Sequence, residues 1–343
     1  MNTFTWKTVF KYRNVIYGLA AIWIVFYHIH KRYTLSIPVV SPVISLGNMG
    51  VDIFLLLSAI GLSFSIEKNT ISIFYKNRLK RTFLTYLLIA GPFIVWKYFF
   101  VQDITAMTIP DFLAELSTLS YFWTKEGTFP FWYVPCILLF YALYPVLYKL
   151  YRKNKLYIVG LIVISIITEL VLLFVKSTVI TTTERTFSRI PIFLGGIMLS
   201  DLVKNEKKVG TPYVIASFII VVVTMVIFPI TRLHSFGVHI IFIRYFYGVM
   251  AICLIVSIAY VLECIKNFKS TEKFTKNCSF FGGISLEIYL VHVAIIRTLT
   301  ICNLQHLVHW SYYYVGVLTG AIVLAFGFSK LSNNILNKSL GGK

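Results

Sequence analysis

Apolar runs of about 20 residues recur along the whole chain, and they constrain the fold more than any other feature. A helix of about 20 residues spans the hydrocarbon core of a bilayer and satisfies its backbone hydrogen bonds internally. Only 13% of the 343 residues are charged, against about 25% in soluble domains. The sequence therefore predicts an all-α protein, a polytopic transmembrane helical bundle.

We predict about ten spans, with no soluble domain before or after them. They lie near 14–31, 44–66, 79–101, 129–149, 156–175, 188–203, 212–231, 238–262, 280–300 and 309–330. Of the 32 lysines and arginines, 22 fall on the side of the predicted bundle that also holds the two termini. Because basic loops stay in the cytoplasm, both termini are expected there. The whole chain, 1–343, is expected to form one membrane domain.

The net charge of +19 is spread over short loops. This distribution suits membrane topology and contact with membrane lipid, and it argues against nucleic-acid binding. The five cysteines lack the spacing of a metal site, so no bound metal is expected. A 27-residue loop near 102–128 contains PDFLAELSTLSYFW, which predicts an amphipathic helix on the outer surface.

Polar side chains inside predicted spans are candidate site residues, because ionisable groups are costly in hydrocarbon. At 1.5 Å per residue, His28 lies about 6 Å from the outer end of its span. Asp52 and His292 lie about 12 Å from theirs. A neutral imidazole can accept a proton from a hydroxyl. Hydrogen bonding between helices explains a lone membrane histidine equally well, and Asp52 suits either a helix cap or a partner for His28.

A basic segment, FYKNRLKR, precedes the third span and carries Arg78 and Arg81. Guanidinium groups bind phosphates in bidentate fashion, although such a cluster also suits topology or lipid headgroups. The run FPFWYVP opens the fourth span and includes Trp132 and Tyr133. It fits an interfacial aromatic belt as well as a binding site.

Six segments in order resemble the acyltransferase-3 family of integral-membrane acyltransferases. They are GLAAIWIVFYH, GVDIFLLLSAIGLSFS, FYKNRLKRTFLTYLL, FWYVPCILLFYALYPVL, SRIPIFLGGIML and ISLEIYLVH. The resemblance runs over a core from about 13 to 330. It is the order of the six segments, more than any single one, that makes the resemblance specific.

The resemblance implies transfer of an acyl group, commonly acetyl, from cytoplasmic acyl-CoA to a hydroxyl of a cell-surface or exported polysaccharide. Such an enzyme would sit in the plasma membrane, with acyl-CoA as co-substrate and no permanently bound cofactor. Residues expected to be catalytic are His28, Asp52 and His292, with His28 as the base. Donor-binding residues would be Arg78, Arg81, Tyr17 and Arg13, and acceptor-binding residues would be Trp132, Tyr133, Glu287 and Tyr289.

Two other functions stay open from the sequence. A transporter or flippase for a lipid-linked saccharide or an anion would also be polytopic, although the chain lacks the matching halves typical of transporters. A catalytically inactive scaffold of the same fold is the other alternative. It is motivated by Tyr17, which stands where the family usually has a basic residue.

Overall fold

The chain is helical throughout the part that the structure describes. The computed structural model describes residues 4–33, 37, 40–101, 108–122, 130–175, 178–231, 240–304 and 307–340. Within these ranges there is no strand, and one isolated antiparallel bridge pairs Thr5 with Lys208. The predicted all-α class is confirmed.

Sixteen α-helices occur in the described ranges. They are α1 Trp6–Lys11, α2 Arg13–His30, α3 Val40–Ser45, α4 Gly50–Lys68, α5 Ile71–Tyr75, α6 Arg81–Phe100, α7 Ile109–Leu116, α8 Tyr133–Lys153, α9 Lys155–Phe174, α10 Thr178–Phe187, α11 Ile190–Lys204, α12 Thr211–Thr231, α13 Ile240–Cys264, α14 Lys269–Gly283, α15 Ser285–Ile301 and α16 Trp310–Leu340. A π-helical turn, Lys76–Lys80, joins α5 to α6.

Seven segments of the described chain are long and apolar enough to cross a membrane, and α14 with α15 adds an eighth if that pair forms one broken span. The seven are Val40–Lys68, Ile71–Phe100, Tyr133–Lys153, Lys155–Phe174, Thr183–Lys204, Phe242–Cys264 and Trp310–Asn337. The other two predicted spans coincide with α2 and α12. The chain is thus a multi-pass membrane protein, and the side on which its termini lie stays a prediction.

The helices pack into two compact units, each built from three stretches of the chain. The first unit comprises Met1–Glu67, Val146–Glu169 and Phe187–Ser285. The second comprises Lys68–Pro145, Leu170–Thr186 and Leu286–Lys343. Because each unit draws on distant stretches, its residues are brought together by folding and not by neighbourhood in the chain.

In the first unit, α2 and α14 are in direct backbone contact. A Cβ atom added at Gly18 would lie 2.0 Å from the carbonyl oxygen of Cys278, and one added at Gly282 would lie 1.9 Å from that of Asn14. Glycines that allow two helices to approach this closely are typical of contacts between transmembrane helices, where close packing drives the association of the helices. The helix that carries His28 is therefore held firmly along its first two turns.

In the second unit, a partly buried ion pair joins α7 to α6. Lys97 Nζ lies 2.6 and 2.7 Å from the two carboxylate oxygens of Glu115. The hydroxyl of Tyr86 donates to the backbone carbonyl of Glu115 at 2.7 Å. The opposite face of α7 exposes Ile109 and Leu113. The prediction of an amphipathic helix in the loop is confirmed over its first half.

Candidate functional site

His28 lies in the last turn of α2, within the first unit, and its side chain is only partly buried. Its Nδ1 atom lies 2.9 Å from the carbonyl oxygen of Ile24. A carbonyl oxygen can only accept, so Nδ1 carries the hydrogen and donates it. In the neutral ring, Nε2 is then the unprotonated nitrogen, which is the tautomer that a general base at this position requires.

The turn that carries His28 packs against the segment GNMGVD at the start of α4. A Cβ atom added at Gly47 would lie 2.6 Å from the carbonyl oxygen of Trp23 and 2.8 Å from Cβ of Tyr27. One added at Gly50 would lie 2.7 Å from Cγ1 of Ile24. Glycine is therefore required at Gly47, where an added side chain would meet the backbone of α2, and Gly50 lies in tight contact with the Ile24 side chain.

Asp52 pairs with an arginine that sequence reasoning missed. Its Oδ1 atom lies 3.4 Å from Nε of Arg189, with side-chain exposures of 1% and 0%. Arg189 immediately precedes α11 and occupies its N-cap position. An arginine at the edge of an apolar run is the signal that was available.

Two residues expected at the donor site have other contacts in the first unit. The hydroxyl of Tyr17 lies 3.2 Å from Oγ of Ser58, and its ring centroid is 5.5 Å from that of Phe54. The guanidinium of Arg13 lies over the ring of Phe10, 4.6 Å from its centroid. Neither contact tests a role in donor binding, which stays a prediction.

His292 lies in α15, in the second unit, and its side chain is fully buried. Its Nδ1 atom lies 2.8 Å from the carbonyl oxygen of Ile288, so it repeats the arrangement of His28. The ring of Tyr289 lies against it, with 5.7 Å between centroids. Tyr289 also contacts the ring of Tyr133 at 5.4 Å, and its hydroxyl accepts from the Tyr133 backbone N–H at 3.4 Å. The structure thus joins three of the predicted site residues.

Trp132 belongs to the same unit and lies under a cation. The guanidinium of Arg185 stands 5.8 Å from the centroid of the indole, a distance that permits a cation–π interaction. The charge of Arg185 also reaches Tyr289. Sequence reasoning missed Arg185, which lies in α10, a helix that was not predicted as a span.

Arg78 lies within the π-helical turn that precedes α6, and Arg81 is the first residue of α6, also in the second unit. Irregular π turns in helices are frequent at functional sites. Nε of Arg78 is buried and has no hydrogen-bond partner among the described residues. Glu287, in the first turn of α15, is 3% exposed, and the charge of Arg81 acts on its carboxyl group.

The predicted site residues are therefore distributed over both units. The first unit holds His28, Asp52, Tyr17 and Arg13, and the second holds His292, Arg78, Arg81, Trp132, Tyr133, Glu287 and Tyr289. Among the side chains that the structure describes, no group of three or more histidine, cysteine, aspartate or glutamate residues is placed to hold a metal ion.

Comparison with known proteins identifies one family. The family model described as an acyltransferase domain, of the acyltransferase-3 type, matches residues 11–330. Neither a comparison with curated proteins nor one with solved structures gave a significant match. The resemblance seen in the six sequence segments is thereby confirmed over nearly the whole chain.

Proposed function

The chain belongs to the acyltransferase-3 family and is a membrane acyltransferase, and from this premise we propose that it O-acylates a carbohydrate. The donor is a cytoplasmic acyl-CoA, acetyl-CoA above all. The acceptor is a hydroxyl of a cell-surface or exported polysaccharide, and the enzyme works in the plasma membrane. The observation that carries the proposal is the state of His28, whose Nδ1–H is held by the Ile24 carbonyl so that Nε2 is left with its lone pair.

In the proposed reaction, Nε2 of His28 removes the proton from the acceptor hydroxyl while the oxygen attacks the thioester carbonyl. A C–O bond forms and the C–S bond breaks, which releases the CoA thiolate. The proton taken by His28 returns to this thiolate, so the products are the ester and free CoA. The hydrogen bond from Nδ1 to the Ile24 carbonyl orients the ring in this scheme.

For the donor, Arg78 and Arg81 are the proposed phosphate ligands. Two guanidinium groups within four residues suit the diphosphate of CoA, which accepts parallel hydrogen bonds from each fork. The buried Nε of Arg78, which lacks a hydrogen-bond partner in the described part of the chain, supports a ligand at this place. Tyr17 and Arg13 are proposed to contact the donor as well.

For the acceptor, the aromatic residues of the second unit are proposed to bind the sugar. Trp132, Tyr133 and Tyr289 offer ring faces and hydroxyls, which suit the C–H faces and hydroxyl groups of a carbohydrate. Glu287 is proposed to accept a hydrogen bond from the substrate. His292 is proposed to stabilise the reacting groups together with its neighbour Tyr289.

The test is the acyl content of surface glycan in cells that express His28→Ala. General-base catalysis contributes about 10²–10⁴ in rate, so acylation should fall below detection while the protein stays inserted at the wild-type level. His30→Ala is the matched control, because His30 lies two residues further and about 200° around the same helix. Wild-type acylation by His28→Ala would overturn the base assignment and favour transport or a scaffold role.

A further inference from the structure

Arg189 is a fully buried cation in a membrane protein, and its position needs a reason. Its exposure is 0%, and that of its partner Asp52 is 1%. Removing two charges from water opposes folding, and a buried ion pair often stabilises a fold no better than apolar residues of the same volume. Such a pair is better explained by what it positions than by stability.

The pair joins two helices, α4 and α11, that run side by side in the same direction. Asp52 and Arg189 meet at the beginning of both helices. Further along, Gly196 of α11 is so close to α4 that an added Cβ would lie 2.7 Å from a backbone oxygen. At the end of both helices, Lys204 Nζ lies 2.8 Å from Oε2 of Glu67. The same two helices thus carry one ion pair at each end.

The first of these pairs lies next to the contact that holds the proposed base. Gly50, two residues before Asp52, packs directly on the side chain of Ile24. The carbonyl of Ile24 is the acceptor for the Nδ1–H of His28. A shift of the first turn of α4 would therefore move the residue that orients the imidazole.

A second contact joins the segment before α4 to His28. A Cβ atom added at Gly47, five residues before Asp52, would lie 2.8 Å from Cβ of Tyr27. The ring of Tyr27 stands against the His28 ring, edge to face, with 5.1 Å between centroids. The segment that the ion pair holds therefore contacts both Ile24 and the aromatic neighbour of His28.

We propose that Arg189 is a positioning residue for acyl transfer: it holds Asp52, and thereby the first turn of α4, so that His28 keeps the orientation of a base. This rests on the proposed function, since it takes His28 as the base. Arg189 does not touch the substrate in this scheme. It acts through Asp52, Gly50 and Ile24.

The test compares the two ion pairs of the same helices. The double variant Asp52→Leu with Arg189→Leu removes both charges of the first pair together. The double variant Glu67→Leu with Lys204→Leu removes the second pair and is the matched control. Each protein is purified in detergent, and acyl-CoA consumption with a soluble oligosaccharide acceptor is measured as kcat, as KM for the donor, and as a pH profile.

We expect the first double variant to lose about 10²-fold in kcat, because a displacement of about 1 Å at reacting groups has an effect of this size. Its pH profile should change, whereas its KM for the donor should stay the same. The control should keep the wild-type kcat and pH profile. Arg189→Lys keeps the charge and serves as the test if the double leucine variant does not fold. This lysine variant should fold and keep part of the wild-type kcat.

Three outcomes contradict the proposal. The first is a wild-type kcat and pH profile in the first double variant. The second is a loss of kcat in the control that equals the loss in the first double variant. The third is a wild-type kcat and pH profile in Arg189→Lys when the first double variant does not fold. His28→Ala separates this failure from failure of the proposed function. If His28→Ala is inactive and the first double variant is normal, only the role of Arg189 is wrong; if His28→Ala is active, the base assignment itself is wrong.

Discussion

Replacing Gly282 by alanine should drive α2 and α14 apart. The added Cβ would lie 1.9 Å from the carbonyl oxygen of Asn14, 2.8 Å from its carbonyl carbon and 3.2 Å from its Cα. All three are backbone atoms, so no side-chain rotation relieves the clash. Since ordinary contacts are about 3.5 Å or longer, the helices must separate by roughly 1.5 Å. Overpacking of this kind costs about 1–3 kcal/mol.

Gly283→Ala is the control, because a Cβ at Gly283 has nothing within 4 Å. Thermal unfolding in detergent, followed by intrinsic fluorescence, should show a lower midpoint for Gly282→Ala and an unchanged or slightly higher one for Gly283→Ala. Because α2 carries His28, the first variant should also lose acyl transfer. Equal midpoints for the two variants would refute the close backbone contact.

Three further predictions follow from the charged and exposed residues. Arg78→Ala and Arg81→Ala should each raise the KM for acyl-CoA about tenfold, because each loses a charge-assisted hydrogen bond of about 1.5 kcal/mol. Lysine at either position should restore the KM only partly. An unchanged KM would show that the two arginines serve membrane topology alone. In a cysteine-free background, Leu113→Cys should react with an impermeant thiol reagent added outside the cell, and Lys208→Cys should react only when the reagent has access to the inside. Both positions are exposed, so either can be labelled. The reverse pattern would overturn the predicted topology. Hydrogen bonds from the side chain and backbone of the N-cap residue Thr108 lower the pKa of Asp111. The stability that Asp111 gives to α7 is therefore complete above the usual aspartate range and is lost as pH falls through the lowered pKa. Hydrogen exchange in α7, corrected for intrinsic rates, should show this loss in the wild type and not in Asp111→Asn.

Most of the helices that are apolar enough to cross a membrane could be predicted, because this property depends on composition along single helices. Each of the ten predicted spans overlaps a helix of the described chain. Within the described residues, however, α2 and α12 are not among the segments that are long and apolar enough to cross a membrane. Two histidines, an arginine and an asparagine lie in α2. The helix that carries His28 is therefore one that hydropathy alone does not identify as a span.

The partners of the charged residues could not be predicted, because they depend on which helices become neighbours. Asp52 was expected to cap its helix or to pair with His28, and its ion pair in the structure is with Arg189, 137 positions later in the chain. Glu115 was part of an amphipathic pattern, and the structure places its carboxylate on Lys97. Hydrophobic periodicity defines which face of a helix is buried, but it carries no information on the helix that covers that face.

The two histidines show how much the structure adds to a sequence pattern. Both donate Nδ1–H to the carbonyl four residues earlier, so both present Nε2 in the form of a base. Their surroundings differ, since His28 is partly exposed and His292 is fully buried. A base must come within about 3 Å of the proton that it removes, so the partial exposure of His28 favours it over the fully buried His292 as the base. His292, enclosed against Tyr289, has the same tautomer without that exposure, so two residues that look alike in sequence differ in what their surroundings allow.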